Sequence, residues 1–153
     1  MKDSEHFLNK LIVELFNDVL EIEQSALQQG TFSDLSVTEI HTIEAIGMYQ
    51  PRTMSEVASD LRITVGTLTT AINKLIKKDY VCRNRIEEDR RVVMIQLTKR
   101  GKLAYRVHQK FHIDMIRETI DGIDEEEEKV LVTALEKINS YFRKKYDLHN
   151  GKE

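Results

Sequence analysis

A helix-like segment followed directly by two strand-like segments constrains the fold more than any other feature of the sequence. The helical pattern covers residues 64–78, where apolar residues recur at helical spacing. Residues 81–85 and 92–97 instead alternate in the manner of β-strands, and the charged residues 87–91 lie between them. Together these patterns predict a helix followed by a β-hairpin whose tip is at 87–91.

The same part of the chain is strongly basic, although the protein as a whole is acidic. Residues 74–110 contain twelve Lys and Arg against four Asp and Glu, a charge of +8, whereas the whole chain has a net charge of −3. A basic surface on an acidic protein indicates a polyanionic partner. A helix followed by a basic hairpin is typical of winged-helix proteins that bind double-stranded DNA.

Capping patterns and amphipathic spacing predict helices on both sides of this unit. Capping boxes at Ser36, Thr53 and Asp124 predict three helix starts, and Thr98 is suited to cap a long helix after the second strand. Apolar residues within 7–20 recur with helical spacing and predict a long first helix. We therefore predict a mainly α protein with a small β-hairpin wing, that is, a winged helix-turn-helix with long helices at both ends.

The predicted elements divide the chain into a lobe and two helical arms. We predict one domain over 1–153, in which 36–98 form the winged-helix DNA-binding lobe and 1–30 and 99–148 form a helical dimerisation region. The small lobe cannot cover the apolar faces of both arms, so a bundle between two subunits of a homodimer is expected. The side chains that the last helix is predicted to bury are Val130, Leu131, Ala134, Leu135, Ile138 and Phe142.

Composition and motifs exclude several classes of protein. The single cysteine, Cys82, rules out an intrachain disulfide, and no apolar run approaches the length of a bilayer span, so no membrane partner is expected. The N-terminus lacks a signal-peptide pattern, which makes the cytoplasm the expected compartment. The sequence contains no serine elbow, P-loop or recognisable pair of catalytic acids, so we expect a binding protein without a required cofactor, not an enzyme.

The outward face of the predicted recognition helix carries small and basic side chains. Threonines offer a hydroxyl and a methyl group, Asn73 is suited to pair with adenine, and lysines are suited to phosphates. Each such residue alone is usually just solvated, but as a set beside a basic hairpin they indicate DNA contact. The predicted DNA-binding residues, with those of the hairpin tip, are Thr64, Gly66, Thr67, Thr69, Thr70, Asn73, Lys74, Lys77, Asp89, Arg90 and Arg91.

The hairpin tip combines two adjacent arginines with an aspartate. On an extended chain Arg90 and Arg91 would point to opposite sides, so that one enters the minor groove and the other lies along the backbone. Asp89 would be unfavourable on a DNA-facing surface unless it holds an arginine through a charge-assisted pair. The alternative is an ordinary exposed ion pair of little energetic value.

Motifs within residues 53–101 resemble the winged helix of the MarR family. They are Leu75-Ile76-Lys77-Lys78, Arg83-x-Arg85, Glu88-Asp89-Arg90-Arg91 and Leu97-Thr98-x-x-Gly101. The resemblance implies a dimer on a pseudo-palindromic operator, with Asp89 orienting Arg91 in the minor groove. One departure is Asp79, where the family usually has glycine; aspartate tolerates the left-handed conformation better than most residues.

Further motifs extend over most of the chain. They are Phe16-Asn17-Asp18-Val19-Leu20, His41-Thr42-Ile43-Glu44, Ile46-Gly47, Thr64-Val65-Gly66-Thr67-Leu68-Thr69-Thr70, Arg90-Arg91-Val92-Val93 and Phe111-His112. They resemble one branch of that family, the FabT-like repressors of type II fatty-acid synthesis genes. The resemblance implies an acyl carrier protein with a long acyl chain as corepressor. Positive side chains after the wing would suit an acidic carrier, although they would also suit DNA phosphates. The residues proposed to bind the carrier are Lys99, Arg100, Lys102, Arg106 and Lys110.

Three histidines and a glutamate leave a second ligand class open. His108 and His112 have the spacing of metal ligands on one helix. With Glu23 and His41 they resemble the sensor site of zinc-responsive MarR regulators. A polar cluster joined by hydrogen bonds between helices is the simpler interpretation. A MarR-type regulator of another small molecule is the remaining alternative.

Overall fold

The computed structural model describes residues 3–146 and Leu148. The rest of the predicted 1–153 domain, including the first two residues and residue 147 of the predicted dimerisation region, lies outside the described residues. The described residues fold into six helices and one small sheet, which confirms the predicted mainly α winged-helix class. The elements are α1 (Asp3–Gln29), α2 (Val37–Ile46), β1 (Arg52–Thr53), α3 (Met54–Leu61), α4 (Val65–Lys77), β2 (Val81–Arg85), β3 (Val93–Leu97), α5 (Lys99–Ile120) and α6 (Glu125–Lys145).

Side-chain caps fix the helix starts where the sequence predicts them. Ser36, Thr53 and Asp124 each form a complete capping box, in which the side chain accepts from the backbone three residues on and a glutamate bonds back. Thr64 and Thr98 cap α4 and α5 through single bonds of 3.1 Å to the N–H groups of Thr67 and Gly101. These caps satisfy N–H groups that the first helical turn leaves without partners.

The sheet has a third strand that sequence analysis misses. Its order is β1-β3-β2, with Arg52 paired to Ile95 and Thr53 paired to Met94. Two residues are too few to show strand alternation, and Thr53 also caps α3. Arg52 fixes the junction, since its Nη1 donates to the Ala45 carbonyl at 2.6 Å and lies 2.7 Å from an Asp60 oxygen.

The core lies inside the winged-helix lobe. Its largest fully buried side chains come from α2, α3, α4, β3 and the segment before β2. On α3, Val57 is fully buried and Leu61 is half-buried. Asp79 adopts a left-handed φ of 65°, as expected for the turn that follows α4. The fully buried residues are Ile40, Ile43, Ile46, Val57, Leu68, Ile72, Leu75, Tyr80 and Ile95.

The apolar faces of the helical arms are uncovered in the single chain. None of the six side chains that the last helix was predicted to bury is buried here, and Val130 and Leu135 are 69% and 54% exposed. In the first helix Phe7 and Phe16 are 60% and 65% exposed. Burial of these side chains was predicted for a bundle between two subunits, and it stays a prediction, since the lobe of the single chain packs mainly against α5.

A buried tyrosine joins the end of the recognition helix to α5. The Tyr80 hydroxyl donates to Asp34 Oδ1 at 2.6 Å, and Arg100 Nη2 donates to the hydroxyl oxygen at 3.0 Å while its guanidinium lies over the ring. Burial, followed by the hydrogen bond to Asp34, raises the pKa of Tyr80 to about 12. The network holds α5 against the lobe at the start of β2.

This shift makes the stability of the protein sensitive to alkaline pH. The folded pKa exceeds the unfolded value near 10, so the stabilisation is complete below pH 10 and is lost as pH rises towards 12. We expect the free energy of unfolding to fall by about 2 kcal/mol over that interval. Tyr80→Phe should reduce the fall, measured by denaturant unfolding, and the exposed Tyr49→Phe should not. An unchanged fall in Tyr80→Phe would contradict the assignment.

Candidate nucleic-acid interface and histidine cluster

The exposed face of α4 carries the predicted base-reading residues. Gly66, Thr67, Thr70, Asn73 and the lysines are exposed, whereas Thr69 is half-buried. The Thr69 and Thr70 hydroxyls donate to the carbonyls of Val65 at 2.8 Å and Gly66 at 3.4 Å. Their oxygen lone pairs and methyl groups are therefore what these two threonines can offer to DNA.

The wing tip is a turn, and the prediction of an extended chain at Arg90 and Arg91 is wrong. The Val92 N–H donates to the Asp89 carbonyl at 3.0 Å, which places both arginines in the middle of the turn. The Asp89 side chain starts this turn, since Oδ1 accepts the Arg91 backbone N–H at 3.1 Å. Extended-strand alternation does not apply where a side chain bends the backbone.

Asp89 also holds the Arg91 side chain. Its Oδ1 accepts from Nε at 3.1 Å and its Oδ2 from Nη2 at 3.3 Å, a two-point contact. The hydrogen bond to the Arg91 side chain, followed by that to its backbone, lowers the pKa of Asp89. Arg91 is 92% exposed, so its position depends on this contact and not on packing.

An arginine-lined groove separates the wing from the starts of α3 and α4. It has a volume of about 780 Å³, and Arg83, Arg85 and Arg91 are its charged residues. Arg83 and Arg85 belong to a motif that resembles the MarR family, but the sequence did not predict that they bind DNA. The signal that finds them is strand alternation, because residues two apart in β2 share one face. The positive charge of these arginines makes the groove suitable for the phosphate backbone of DNA.

The predicted carrier-binding residues do not form one uniform basic surface. Arg100 is engaged with Asp34 and Tyr80, and Lys110 pairs with Asp114 on the next turn. Lys99 and Arg106 are exposed, and Lys102 is half-buried. The positive charge that remains for a partner is therefore smaller than the sequence indicates.

Four side chains from three helices converge at the predicted metal site. One Glu23 oxygen lies 2.8 Å from His41 Nε2, 3.0 Å from His108 Nε2 and 3.2 Å from His112 Nε2. Glu23 and His108 are almost fully buried. The Nε2 atoms of His108 and His112 are themselves 3.0 Å apart. Three histidine nitrogens thus surround one Glu23 oxygen.

These distances are compatible with hydrogen bonds and with metal ligands. Two Nε2–H groups cannot donate to each other, so hydrogen bonding requires His108 and His112 to be in different tautomers. The donor atoms of a tetrahedral zinc site with bonds of 2.0–2.1 Å lie roughly 3.3 Å apart. The ligand atoms of Glu23, His41 and His108 all lie within 4.8 Å of one another, so these three residues fit zinc in residue type and proximity.

Glu44 is a neighbour of this cluster that sequence analysis misses. Its Oε1 lies 3.4 Å from His108 Nε2, and with His108 and His112 it makes a second possible ligand set. Burial raises the pKa of Glu44, but the hydrogen bond to His108 and the nearby His41 and His112 outweigh it and lower the pKa overall. Only the packing of α2 on α5 places Glu44 beside these histidines.

Comparison with known proteins identifies the family. The family model described as MarR matches residues 35–93, which covers most of the winged-helix lobe. The structure is similar to that of FabT from Streptococcus pneumoniae in complex with DNA, with 40% identity, a TM-score of 0.87, and coverage of 92% of this chain and 98% of that one. The chain belongs to the MarR family. The predicted resemblance, including its FabT-like branch, is thus supported by a similarity over nearly the whole chain.

The chain is also similar to other transcriptional regulators. The Bacillus subtilis regulator PchR is 25% identical over 108 residues, which are 69% of this chain and 64% of PchR, slightly less than two thirds of its length. BldR from Sulfolobus solfataricus is 25% identical with a TM-score of 0.65 over 92% of this chain and 99% of BldR. These proteins are named as transcriptional regulators, in agreement with the prediction that the chain is not an enzyme. Within the described residues, no helix is long and apolar enough to cross a bilayer.

Proposed function

We propose that the chain is a transcriptional repressor that binds a pseudo-palindromic operator as a homodimer, with α4 in the major groove and the wing in the minor groove. The observation that carries this proposal is the Asp89–Arg91 pair, formed in the free chain beside the arginine-lined groove. An arginine held in advance loses less side-chain freedom on binding. The uncovered apolar faces of α1 and α6 support the homodimer.

The proposed targets are type II fatty-acid synthesis genes, with a long-chain acyl carrier protein as corepressor. The 40% identity to FabT over 92% of the chain supports this branch. An apolar cavity of about 50 Å³ lies between α1, α2 and α5, with Phe32, Val107 and Phe111 in its lining. A cavity of that volume is too small for a long acyl chain, so the helices would have to move apart for the chain to bind. Such a ligand acts through its differential affinity for the parted, DNA-competent arrangement.

Zinc regulation is the second candidate function, because the ligand atoms of Glu23, His41 and His108 lie within 4.8 Å of one another and His112 Nε2 lies 3.2 Å from the same Glu23 oxygen. Zinc bound there would join α1, α2 and α5, since each of these helices supplies at least one of the four residues. It would supply a fixed link between the arms and the lobe. The four residues would act as its ligands, and the carboxylate of Glu44 beside His108 would add negative charge that favours a cation.

One titration tests both candidates. The affinity of metal-free protein for a duplex from the upstream region of a fatty-acid synthesis operon is measured with acyl carrier protein, with long-chain acyl carrier protein, and with zinc. Tightening by the acylated carrier alone supports the lipid repressor, and tightening by zinc alone supports the metal sensor. Tightening by neither would overturn both and leave another small-molecule ligand. His112→Ala is the matched variant, since it should abolish a response to zinc.

The DNA-binding part of the proposal has its own test. Binding through several phosphates releases counterions, so the affinity should fall steeply as salt rises. An affinity for duplex DNA that does not change with salt, or no detectable affinity, would overturn the placement of the arginine-lined groove on DNA.

A further inference from the structure

A hydrogen bond joins the wing to the face of the recognition helix. Arg83 on β2 donates from Nη1 to Asn73 Oδ1 on α4 at 3.2 Å. Both side chains are exposed, so the contact is not a by-product of burial in the core. Arg83 also lines the arginine-lined groove, next to Arg85 and Arg91. A residue of the wing therefore contacts one of the side chains that α4 presents for base reading.

The chemistry of this contact fixes the orientation of the Asn73 amide. A guanidinium has only donors, so it must be the amide oxygen that faces Arg83, whichever way the amide might otherwise turn. The Nδ2 group, with two N–H donors, is then turned away from the arginine. Pairing with adenine needs both atoms of the amide, one to accept and one to donate. Arg83 takes one of the two lone pairs of the accepting atom and holds that atom on its own side of the amide.

We propose that Arg83 is a positioning residue that makes Asn73 a hydrogen-bond donor, and that Asn73 therefore favours guanine over adenine. Guanine presents two acceptors, O6 and N7, in the major groove, whereas adenine presents one acceptor and one donor. This inference rests on the proposed insertion of α4 into the major groove. It revises the expectation that Asn73 pairs with adenine.

The test is a selection of bound duplexes from a pool with randomised pseudo-palindromic sites. Wild type, Asn73→Ala, Arg83→Met and the double variant are compared, followed by affinities for single-base changes in the selected site. Methionine keeps the aliphatic part of the arginine and removes its donors. We expect wild type to prefer guanine roughly tenfold at one position in each half-site. Both single variants should lose this preference at that same position.

The double variant separates positioning from direct contact. If Arg83 acts through Asn73, then Arg83→Met in the Asn73→Ala background should cause no further loss of base preference at that position. Arg83→Lys, which retains a donor, should keep part of the preference. The exposed Arg117→Ala at the far end of α5 is the control for the loss of one positive charge, and its base preference should match wild type.

Several results would overturn the inference. Adenine at the position that depends on Asn73 would show that Arg83 leaves the amide oxygen free for a base. An equal loss of affinity for every sequence in Arg83→Met would make Arg83 a phosphate contact only. If wild type enriches no sequence at all, the proposed function itself fails, and that outcome is distinct from selection of the wrong base.

Discussion

Arg91→Ala is expected to weaken operator binding by about 100-fold, since a dimer loses one arginine from each of two wings. The arginine is fully exposed apart from its contact with Asp89, so its removal should not disturb the fold. Its loss removes a charge that favours a narrow minor groove. The measurement is a binding titration at fixed salt, with Arg90→Ala as the control. Arg90 lies in the same turn but is not held by Asp89, and its replacement should cost less.

The role of Asp89 can be tested by whether its replacement strengthens or weakens DNA binding. Glu88→Gln and Asp89→Asn each remove one negative charge from the wing tip, and long-range electrostatics alone would make both variants bind DNA more tightly. Asp89→Asn also weakens the charge-assisted contact with Arg91. We therefore expect Glu88→Gln to bind slightly more tightly and Asp89→Asn to bind less tightly. Tighter binding by both variants would make the pair an ordinary surface ion pair.

Gly101→Ala is expected to lower the free energy of unfolding by about 3 kcal/mol or more. A Cβ at this buried position of α5 would lie 2.1 Å from the Tyr80 carbonyl oxygen and 3.1 Å from Leu97 Cβ. The carbonyl cannot easily move away, because it accepts the Thr98 N–H at 3.0 Å. Alanine gains roughly 1 kcal/mol over glycine in a helix, which is too little to offset this overlap.

Gly122→Ala is the matched control for the stability experiment. Nothing lies within 4 Å of a Cβ built there, and its φ is not positive, so alanine should be neutral or stabilise by about 0.5 kcal/mol. The free energies of unfolding of wild type, Gly101→Ala and Gly122→Ala are compared by denaturant unfolding at a single protein concentration. A stability of Gly101→Ala equal to that of wild type would mean that α5 can shift away from Tyr80 without loss.

The sequence predicts the elements and their limits well where local chemistry decides them. Ser36, Thr53, Thr98 and Asp124 all cap the helices that they were predicted to start. A cap depends only on residues within one turn, so its pattern is readable in the sequence. The left-handed Asp79 was expected from the family resemblance, in which glycine usually holds this position.

The sequence did not predict features that depend on contacts between distant residues, or the turn that the Asp89 side chain sets. β1 exists only because Arg52 and Thr53 find a partner in β3. The turn at Arg90 and Arg91 arises from the Asp89 side chain, which overrides the strand pattern around it. The bond from Arg83 to Asn73 depends on how the wing folds back on α4, which no local pattern encodes.

The candidate metal site was predicted in its members but not in its geometry. The spacing of His108 and His112 on one helix indicated a ligand pair, and the resemblance supplied Glu23 and His41. The approach of three histidine nitrogens to one Glu23 oxygen depends on the packing of α1, α2 and α5. The same packing brings Glu44, three residues after His41 in the sequence, to within 3.4 Å of His108.

The uncovered apolar face of α6 has a consequence for the lifetime of the protein. Within the described chain no residue of α6 is buried, and an isolated helix of its length is marginal in water. The lobe carries its own core, whereas α6 would be ordered by a second molecule. At low concentration α6 should therefore unravel first and become a substrate for proteases, while the lobe stays folded. Degradation would then remove surplus unpaired chains and keep the regulator at the level that pairing supports.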